Sequence, residues 1–323
     1  MTASSSCAAP APPILCLLGP TGTGKTAAAI AVARRMAASV INFDSRQVYA
    51  DFPIITAQPD EVERAACPHL LYGFLATDER MTAARFVELA LEAIAGVHAQ
   101  GRLPILVGGT GLYLRSLLSG IAPIPEIPDA IRRAVLERVR AEGPQRLHAE
   151  LEKTDPDYAA RIHPNDTQRN ARATEVLLAT GCTMTWWHTL SDHAPAPFDA
   201  LKVGMRLPLV ELEPHLAGRI DTMLAAGAVD EASRAFATHP DPDAPGWTGI
   251  GCAELLAFLR GETTLEQARA LWIKNTRAYA KRQLTWFAKE PGIRWYAPAE
   301  NEAVADCVAD WLAARQDQTL TTG

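Results

Sequence analysis

The chain has 323 residues, enough for two folded units at the usual ~100–200 residues each, and 48% of them are apolar, which excludes a low-complexity or disordered protein. A net charge of −6 argues weakly against a nucleic-acid partner, although a binding face is local and the sum averages over the whole surface. No apolar stretch approaches the length of a membrane span. The six cysteines (Cys7, Cys16, Cys67, Cys182, Cys252, Cys307) contain no C-x-x-C pair, so neither a zinc site nor a disulfide framework is indicated and a cytoplasmic location is expected.

Met1 to Pro13 is rich in Ala, Ser and Pro without a basic start, and reads as a disordered tail rather than a signal peptide. The apolar run Ile14 to Leu18 follows, then Gly19, Pro20, Thr21, Gly22, Thr23, Gly24, Lys25 and Thr26, then helix-forming residues from Ala27 to Ala38. Strand, glycine loop and helix in this order, with G-x-x-x-x-G-K-T unbroken, make a P-loop. Gly22 and Gly24 allow the tight turn that points successive N–H groups at phosphate oxygens. The helix starting near Lys25 adds positive potential at its N-terminus. Lys25 is placed to lie along the phosphates and Thr26 to offer its hydroxyl to Mg²⁺. The loop specifies a diphosphate or polyphosphate, not which one.

Ser39 to Phe43 is a β-branched run ending in Asp44 and Ser45. Ligands of open α/β sheets sit at the carboxyl ends of strands, so Asp44 falls beside the P-loop. A turn cap, a metal-binding carboxylate and a catalytic base all fit that position. Gln47 and Tyr49 lie in a polar loop that runs to Pro59.

Thr82 to Gln100 carries Phe86, Leu89, Ala90, Ile94 and Val97 at helical spacing, with Gly101 as the stop. Leu103 to Val107 is a third buried strand, ending in Gly108-Gly109-Thr110-Gly111 and leading into a helix from Leu112 to Ser119. An NTP-hydrolysing P-loop protein usually has an Asp at such a strand end for Mg²⁺; here the strand delivers the Thr110 hydroxyl instead. Gly109 and Gly111 imply close approach of a ligand or another strand.

Pro123, Pro125 and Pro128 break the α/β pattern and mark a boundary. Helices are expected over Asp129–Ala141, Pro144–Lys153 and Asp166–Thr180, with arginines at 132, 133, 138, 140, 161, 169 and 172; a solvated charged face accounts for these. Trp186, Trp187 and His188 follow, then a Pro-rich exit from Ala194 to Phe198, and a β-like run from Leu201 to Leu207 resumes the first pattern. The expectation is an α/β core over 14–122 and 200–316, interrupted by a helical insertion over 123–199. Near the C-terminus Lys274, Arg277, Lys281 and Thr285 share one helical stripe, with Arg282, Trp286 and Lys289 alongside and no acidic residue from 267 to 289. Such a face suits a phosphate backbone, or is an ordinary exposed helix.

Five stretches together resemble the bacterial tRNA dimethylallyltransferases (IPP transferase family): GPTGTGKT at 19–26, DSRQVY at 44–49, GRLPILVGGTGLYLRSLL at 101–118, RIHPNDTQRNARATEV at 161–176 and NTRAYAKRQLTWF at 275–287. The resemblance implies an α/β fold with a P-loop NTPase-like parallel sheet and a helical insertion that grips the anticodon arm. It implies Mg²⁺ and transfer of a dimethylallyl group from its diphosphate to the exocyclic amine of the adenine 3′-adjacent to the anticodon, in tRNAs reading codons that begin with U. The partners expected are the tRNA anticodon stem-loop and dimethylallyl diphosphate, with no membrane and a monomeric chain.

Carried over by position, Asp44 resembles the family's general base, Thr110 the threonine near the diphosphate and target base, and Arg219 the arginine that helps to hold the diphosphate beside Lys25. The P-loop residues become diphosphate- or nucleotide-binding. Asp44, Ser45, Arg46 and Gln47 match a tRNA-contacting segment. So do Gln168, Arg169, Asn170, Ala171 and Arg172; Gly249, Ile250, Gly251, Cys252, Ala253 and Glu254; and Lys281, Arg282, Gln283, Leu284, Thr285 and Trp286. Thr110 and Arg132 match single tRNA-contact positions. The chain departs from the family at Gln58, where lysine is usual, at Cys252, where tyrosine is usual, at His215, where arginine is common, and over Cys67–Tyr72. A P-loop kinase of a small molecule or nucleotide remains an alternative, opposed by the non-acidic strand end at Val107 and the cationic helix. A non-catalytic RNA-binding P-loop protein is a further one, opposed by the joint presence of Lys25, Asp44 and Thr110.

Overall fold

A computed structural model describes residues 11–190 and 198–321. The expected tail falls outside the described residues up to residue 10, and the Pro-rich exit at 194–198 falls outside them up to residue 197. Aliphatic-rich runs over 13–18, 38–42 and 103–108 form strands buried on both faces, as parallel sheets require. The strands are β1 (Pro13–Leu18), β2 (Ala38–Asn42), β3 (His69–Leu70), β4 (Leu103–Gly108), β5 (Asp199–Met205) and β6 (Ile293–Tyr296). They lie all parallel in the order β3-β2-β4-β1-β5-β6. β1 therefore sits inside the sheet, with β4 and β2 to one side and β5 and β6 to the other.

The chain divides into two compact units, Met1–Leu118 with Ala196–Gly323, and Ser119–Pro195. In the first, α1 (Lys25–Arg35), α2 (Glu61–Ala66), α3 (Ala83–Ala99) and α4 (Gly111–Ser119) follow the early strands. α1 stops three residues short of the expected Ala38. Met36 N–H closes on Val32 O, and Ala38 opens β2 opposite Leu103. The run 27–38 holds no glycine or proline, so this end is set by strand pairing and not by local sequence. α3 runs as expected, with the Thr82 hydroxyl capping Arg85 N–H and Phe86, Ala90, Ile94 and Val97 buried.

The second unit contains α5 (Asp129–Glu142), α6 (Pro144–Thr154), α7 (Pro156–Ala159), α8 (Thr167–Thr180) and α9 (Met184–Thr189) around Ile127, Leu151, Ala159, Ile162, Ala173, Val176 and Met184. Buried Asp155 joins α7 to α9 by accepting from Tyr158 N–H, Thr185 N–H and the Thr185 hydroxyl. Several arginines of this unit pair locally: Arg132 with Asp129, Arg138 with Glu142 and Glu150, Arg169 with Asp166, Arg172 with Glu175.

The first unit resumes at β5, which starts two residues before the expected Leu201. It continues with α10 (Leu209–Ala225), α11 (Ala228–Thr238), α12 (Cys252–Leu259), α13 (Leu265–Phe287) and α14 (Asn301–Thr321). One face of the sheet is covered by α1 and α14, through Ala28, Val32, Val304 and Val308; the other is covered by α3 and α4, through Phe86, Ile94, Tyr113 and Leu117. α13, about 34 Å long at ~1.5 Å per residue, starts at a capping box between Thr264 and Gln267. It is pinned to α10 by Arg269–Asp221 and Arg277–Glu213.

Candidate active site

The site is built at the carboxyl ends of β1, β2 and β4. The loop after β1 turns through Gly22 and Gly24 at φ 82° and 77°, a region that disfavours any side chain. The Thr23 hydroxyl, buried, donates to Pro20 O at 2.9 Å and holds the loop closed. Lys25 and Thr26 form the first turn of α1, and among the described residues the Thr26 hydroxyl makes no hydrogen bond. Lys25 Nζ donates to Gly19 O at 3.0 Å and Pro20 O at 2.8 Å, so the ammonium lies within the loop that it would help to charge. Burial pulls its pKa down to about 8, with Asp44 opposing and Arg219 adding to the fall. Arg219 of α10 reaches Thr21 Oγ1 at 3.4 Å. Burial lowers its pKa too, against the opposing charges of Glu63 and Asp44. Two cations, Lys25 and Arg219, and two carboxylates, Asp44 and Glu63, thus share a field around the loop.

Asp44 is held by a residue that sequence reading passed over. Asn42, buried at the end of β2, accepts from Asp44 N–H at 2.7 Å and donates to Asp44 O at 3.1 Å and Leu71 O at 2.9 Å. An amide side chain directly after the aliphatic pair Val40-Ile41 was the available signal. Asp44 Oδ1 accepts from Arg46 N–H at 2.9 Å, leaving Oδ2 unengaged in the local turn. The Thr110 hydroxyl, from the turn after β4, accepts from Ser45 N–H at 3.0 Å and lies 3.3 Å from Ser45 Oγ. Adjacent strands therefore lock Asp44 and Thr110 together.

The polar loop after Asp44 is closed by its own glutamines. Gln47 Nε2 donates to Thr56 O and Ala57 O, and Gln58, the departure from the usual lysine, donates to Tyr49 O at 2.7 Å. Ala57 is left-handed at φ 53°, a strain of ~1–3 kcal/mol that the Gln47 clasp offsets. Buried Glu231 of α11 anchors the loop by accepting from Ile54 and Ile55 N–H. Arg46 reaches Thr248 Oγ1 at 2.9 Å, tying the 44–47 segment to the residue that precedes 249–254.

The glycines after β4 do approach another element closely, and that element is α13. A Cβ on Gly109 would fall 2.0 Å from Gln283 Nε2, and one on Gly111 would fall 2.2 Å from the Trp286 ring. Tyr279 lies near Thr110 and Asp44, and its pKa is raised first by burial and then by the Asp44 charge. Tyr279, Gln283 and Trp286 are spaced i, i+4, i+7 and form one stripe of α13. That stripe walls the site, while Lys281, Arg282 and Thr285 are exposed beside it. Arg115 stacks on Trp286 at 4.8 Å and Arg282 on Tyr279 at 5.5 Å.

Four side chains expected to meet RNA are turned inward. Gln283 is 4% exposed and joins the P-loop to Gly109. Glu254 is 4% exposed, capping Gly251 N–H and accepting from Asn275. Cys252 is buried in the cluster of Phe52, Trp247 and Trp272, which raises its thiol pKa. Asn170 donates to the carbonyls of His163, Pro164 and Asp166. Glu254 and Asn170 hold the backbone of their own segments and Gln283 that of two others, while Gln168, Arg169, Ala253, Lys281, Arg282 and Thr285 are exposed around them. His215, the other departure, is exposed on α10.

Among the described residues no helix is long and apolar enough to cross a membrane. None of them form a cluster of three or more His, Cys, Asp or Glu side chains suited to a metal. A cation here would rest on Thr26 and on the diphosphate itself, the arrangement that Mg²⁺ favours because it keeps several waters and needs few protein ligands.

Comparison with known proteins gives a consistent picture. The profile of the IPP transferase family matches residues 47–290, and that of the ATPase family associated with various cellular activities matches 15–67, across the P-loop. The chain is 56% identical over 301 residues to the tRNA dimethylallyltransferase of Maridesulfovibrio salexigens, covering 93% of this chain and 98% of that one. It is 43% identical to that of Lawsonia intracellularis, with coverages of 93% and 98%. Among solved structures it is similar to the tRNA isopentenylpyrophosphate transferase of Bacillus halodurans, with TM-score 0.70, 31% identity and coverages of 95% and 99%. It is also similar to a eukaryotic dimethylallyltransferase described as acting on tRNA, with TM-score 0.74, 29% identity and coverages of 89% and 74%.

Proposed function

Since the chain belongs to the IPP transferase family, we propose that it transfers a dimethylallyl group from dimethylallyl diphosphate to the exocyclic amine of the adenine 3′-adjacent to the anticodon. The observation that carries this reading is the meeting of Asp44 and Thr110 with Lys25 and Arg219 at the ends of three neighbouring strands.

The exocyclic amine is a poor nucleophile because its lone pair is delocalised into the ring. As the amine nitrogen bonds to the allylic carbon, the carbon–oxygen bond to the diphosphate breaks and the amine proton passes to the Asp44 carboxylate. A positioned base contributes typically ~10²–10⁴-fold. Negative charge develops on the departing diphosphate, where the loop N–H groups, Lys25 and Arg219 stabilise it. Thr26 and the diphosphate would hold Mg²⁺, which would supply further charge neutralisation there. The adenine cannot react while stacked in its loop, so it enters flipped out, a step that costs a few kcal/mol. The 119–195 unit, with Arg132 and the 168–172 segment, would grip the anticodon arm. Mass spectrometry of nucleosides from tRNA incubated with the protein, Mg²⁺ and dimethylallyl diphosphate tests the reading. The expected product is a prenylated adenosine, and its absence would sink the proposal. The glycine end of β4, which carries no acid for a nucleotide's Mg²⁺, weighs against the kinase.

The exposed pair Lys281 and Arg282 belongs to the tRNA surface in this reading. Replacing both by alanine is expected to weaken tRNA binding and leave donor binding intact. Phosphate contacts release counterions, so two lost contacts flatten the log affinity–log salt slope by ~1.4–1.8. Trp286→Ala carries no charge and is expected to leave the slope unchanged. A salt series of tRNA affinities for wild type and both variants decides; an unchanged slope in the double variant would remove α13 from the RNA surface.

A further inference from the structure

We infer that Gln283 is a positioning residue whose amide holds the phosphate loop and the turn after β4 in fixed relation. Its Oε1 accepts from Thr21 N–H at 3.1 Å and its Nε2 donates to Gly109 O at 3.0 Å. The two contacts come from segments 174 and 262 residues away in sequence, and the side chain between them is 4% exposed. An amide offers a donor and an acceptor at the two corners of one planar group at any pH; ionised glutamate has no donor and lysine no acceptor. A buried amide satisfied at both ends is costly to disturb, because removing it leaves an N–H and a carbonyl unpaired.

The contacts extend in both directions. Thr21 is also the residue that Arg219 reaches. Gly109 precedes Thr110, whose hydroxyl holds Ser45 beside Asp44. One unbroken series, Arg219–Thr21–Gln283–Gly109–Thr110–Ser45, therefore runs from the seat of the leaving diphosphate to the base. The missing side chain at Gly109 is part of this device, since any Cβ there would displace the amide. This assignment rests on the prenyl-transfer reading only for what the alignment serves: a fixed distance from the donor's reacting carbon to the proton acceptor. The contacts themselves stand without it.

The test uses Gln283→Met, which keeps the volume and loses both hydrogen bonds, and Gly109→Ala, which displaces the amide without altering it. Inorganic diphosphate with Mg²⁺ is titrated calorimetrically, tRNA affinity is measured separately, and the single-turnover rate is taken at saturating donor. Two lost hydrogen bonds predict about a tenfold weaker diphosphate affinity and a slower single turnover in each variant, with tRNA affinity within about twofold of wild type. Because both changes break the same contact, the double variant is expected to be no worse than the worse single. Unchanged diphosphate affinity with weakened tRNA binding would overturn the assignment and make Gln283 an RNA contact. Additive losses in the double variant would also overturn it. Should Gln283→Met fail to fold, Gly109→Ala alone carries the comparison. The diphosphate titration needs no prenyl chemistry, so failure of the transfer reading would be seen in the nucleoside analysis and not here.

Discussion

Asp44→Asn is expected to lower the single-turnover rate of transfer by at least a hundredfold while tRNA affinity stays within about twofold, because loss of a general base acts on the chemical step. Asparagine is the informative replacement. It retains an oxygen to accept from Arg46 N–H, and the backbone clasp by Asn42 does not involve the substituted atoms. The loop should therefore keep its conformation, and what disappears is the capacity to take a proton. Asp44→Ala removes the Arg46 contact as well and is expected to be at least as slow. Rapid-quench measurement with enzyme in excess over tRNA isolates the step from product release. A near-wild-type rate for Asp44→Asn would remove Asp44 from the role of base and return it to a turn cap.

Lys25→Ala is expected to weaken dimethylallyl diphosphate binding by roughly ten- to a hundredfold, the range for a lost hydrogen bond to a charged group, and to slow transfer further as charge builds on the leaving group. The pH dependence gives a second signature. Burial lowers the Lys25 pKa to about 8, so the free protein carries the ammonium below that pH and loses it as pH rises through it. Donor affinity of the wild type should fall above about pH 8 while Lys25→Arg, which stays charged, should show no such fall. Equilibrium binding of the donor across pH 6.5–9.5 for wild type and both variants checks this. Loss of ATP hydrolysis, with prenyl transfer intact, would favour the kinase reading instead.

Local pattern carried much of the chain's organisation. The P-loop was readable because its chemistry demands a contiguous string of residue types. Pro123, Pro125 and Pro128 announced the change of architecture because three prolines within six residues remove backbone donors too densely for a strand or a helix to run through them. Asp44 and Thr110 were readable as polar residues at the ends of aliphatic strands. What local pattern could not supply was partnership across the chain. Gln283 sits among Lys281, Arg282 and Thr285 in one motif, and its burial depends on a turn 174 residues away. Cys252 likewise became a core residue only when Trp247 and Trp272 packed around it. β3 has only two residues, so it does not rise above background in sequence.

The division of α13 into a wall of Tyr279, Gln283 and Trp286 and an outer edge of Lys281 and Arg282 fixes an angular phase. A helix turns ~100° per residue, so one inserted or deleted residue between 279 and 286 would swing the cations toward the glycine turn and the wall toward solvent. Side chains along this helix can change without shifting that phase, but the count of residues between its outer grip and its inner wall fixes it. The helix behaves as a keyed shaft: the rotational setting that seats Gln283 against Gly109 is the same setting that aims Lys281 and Arg282 outward.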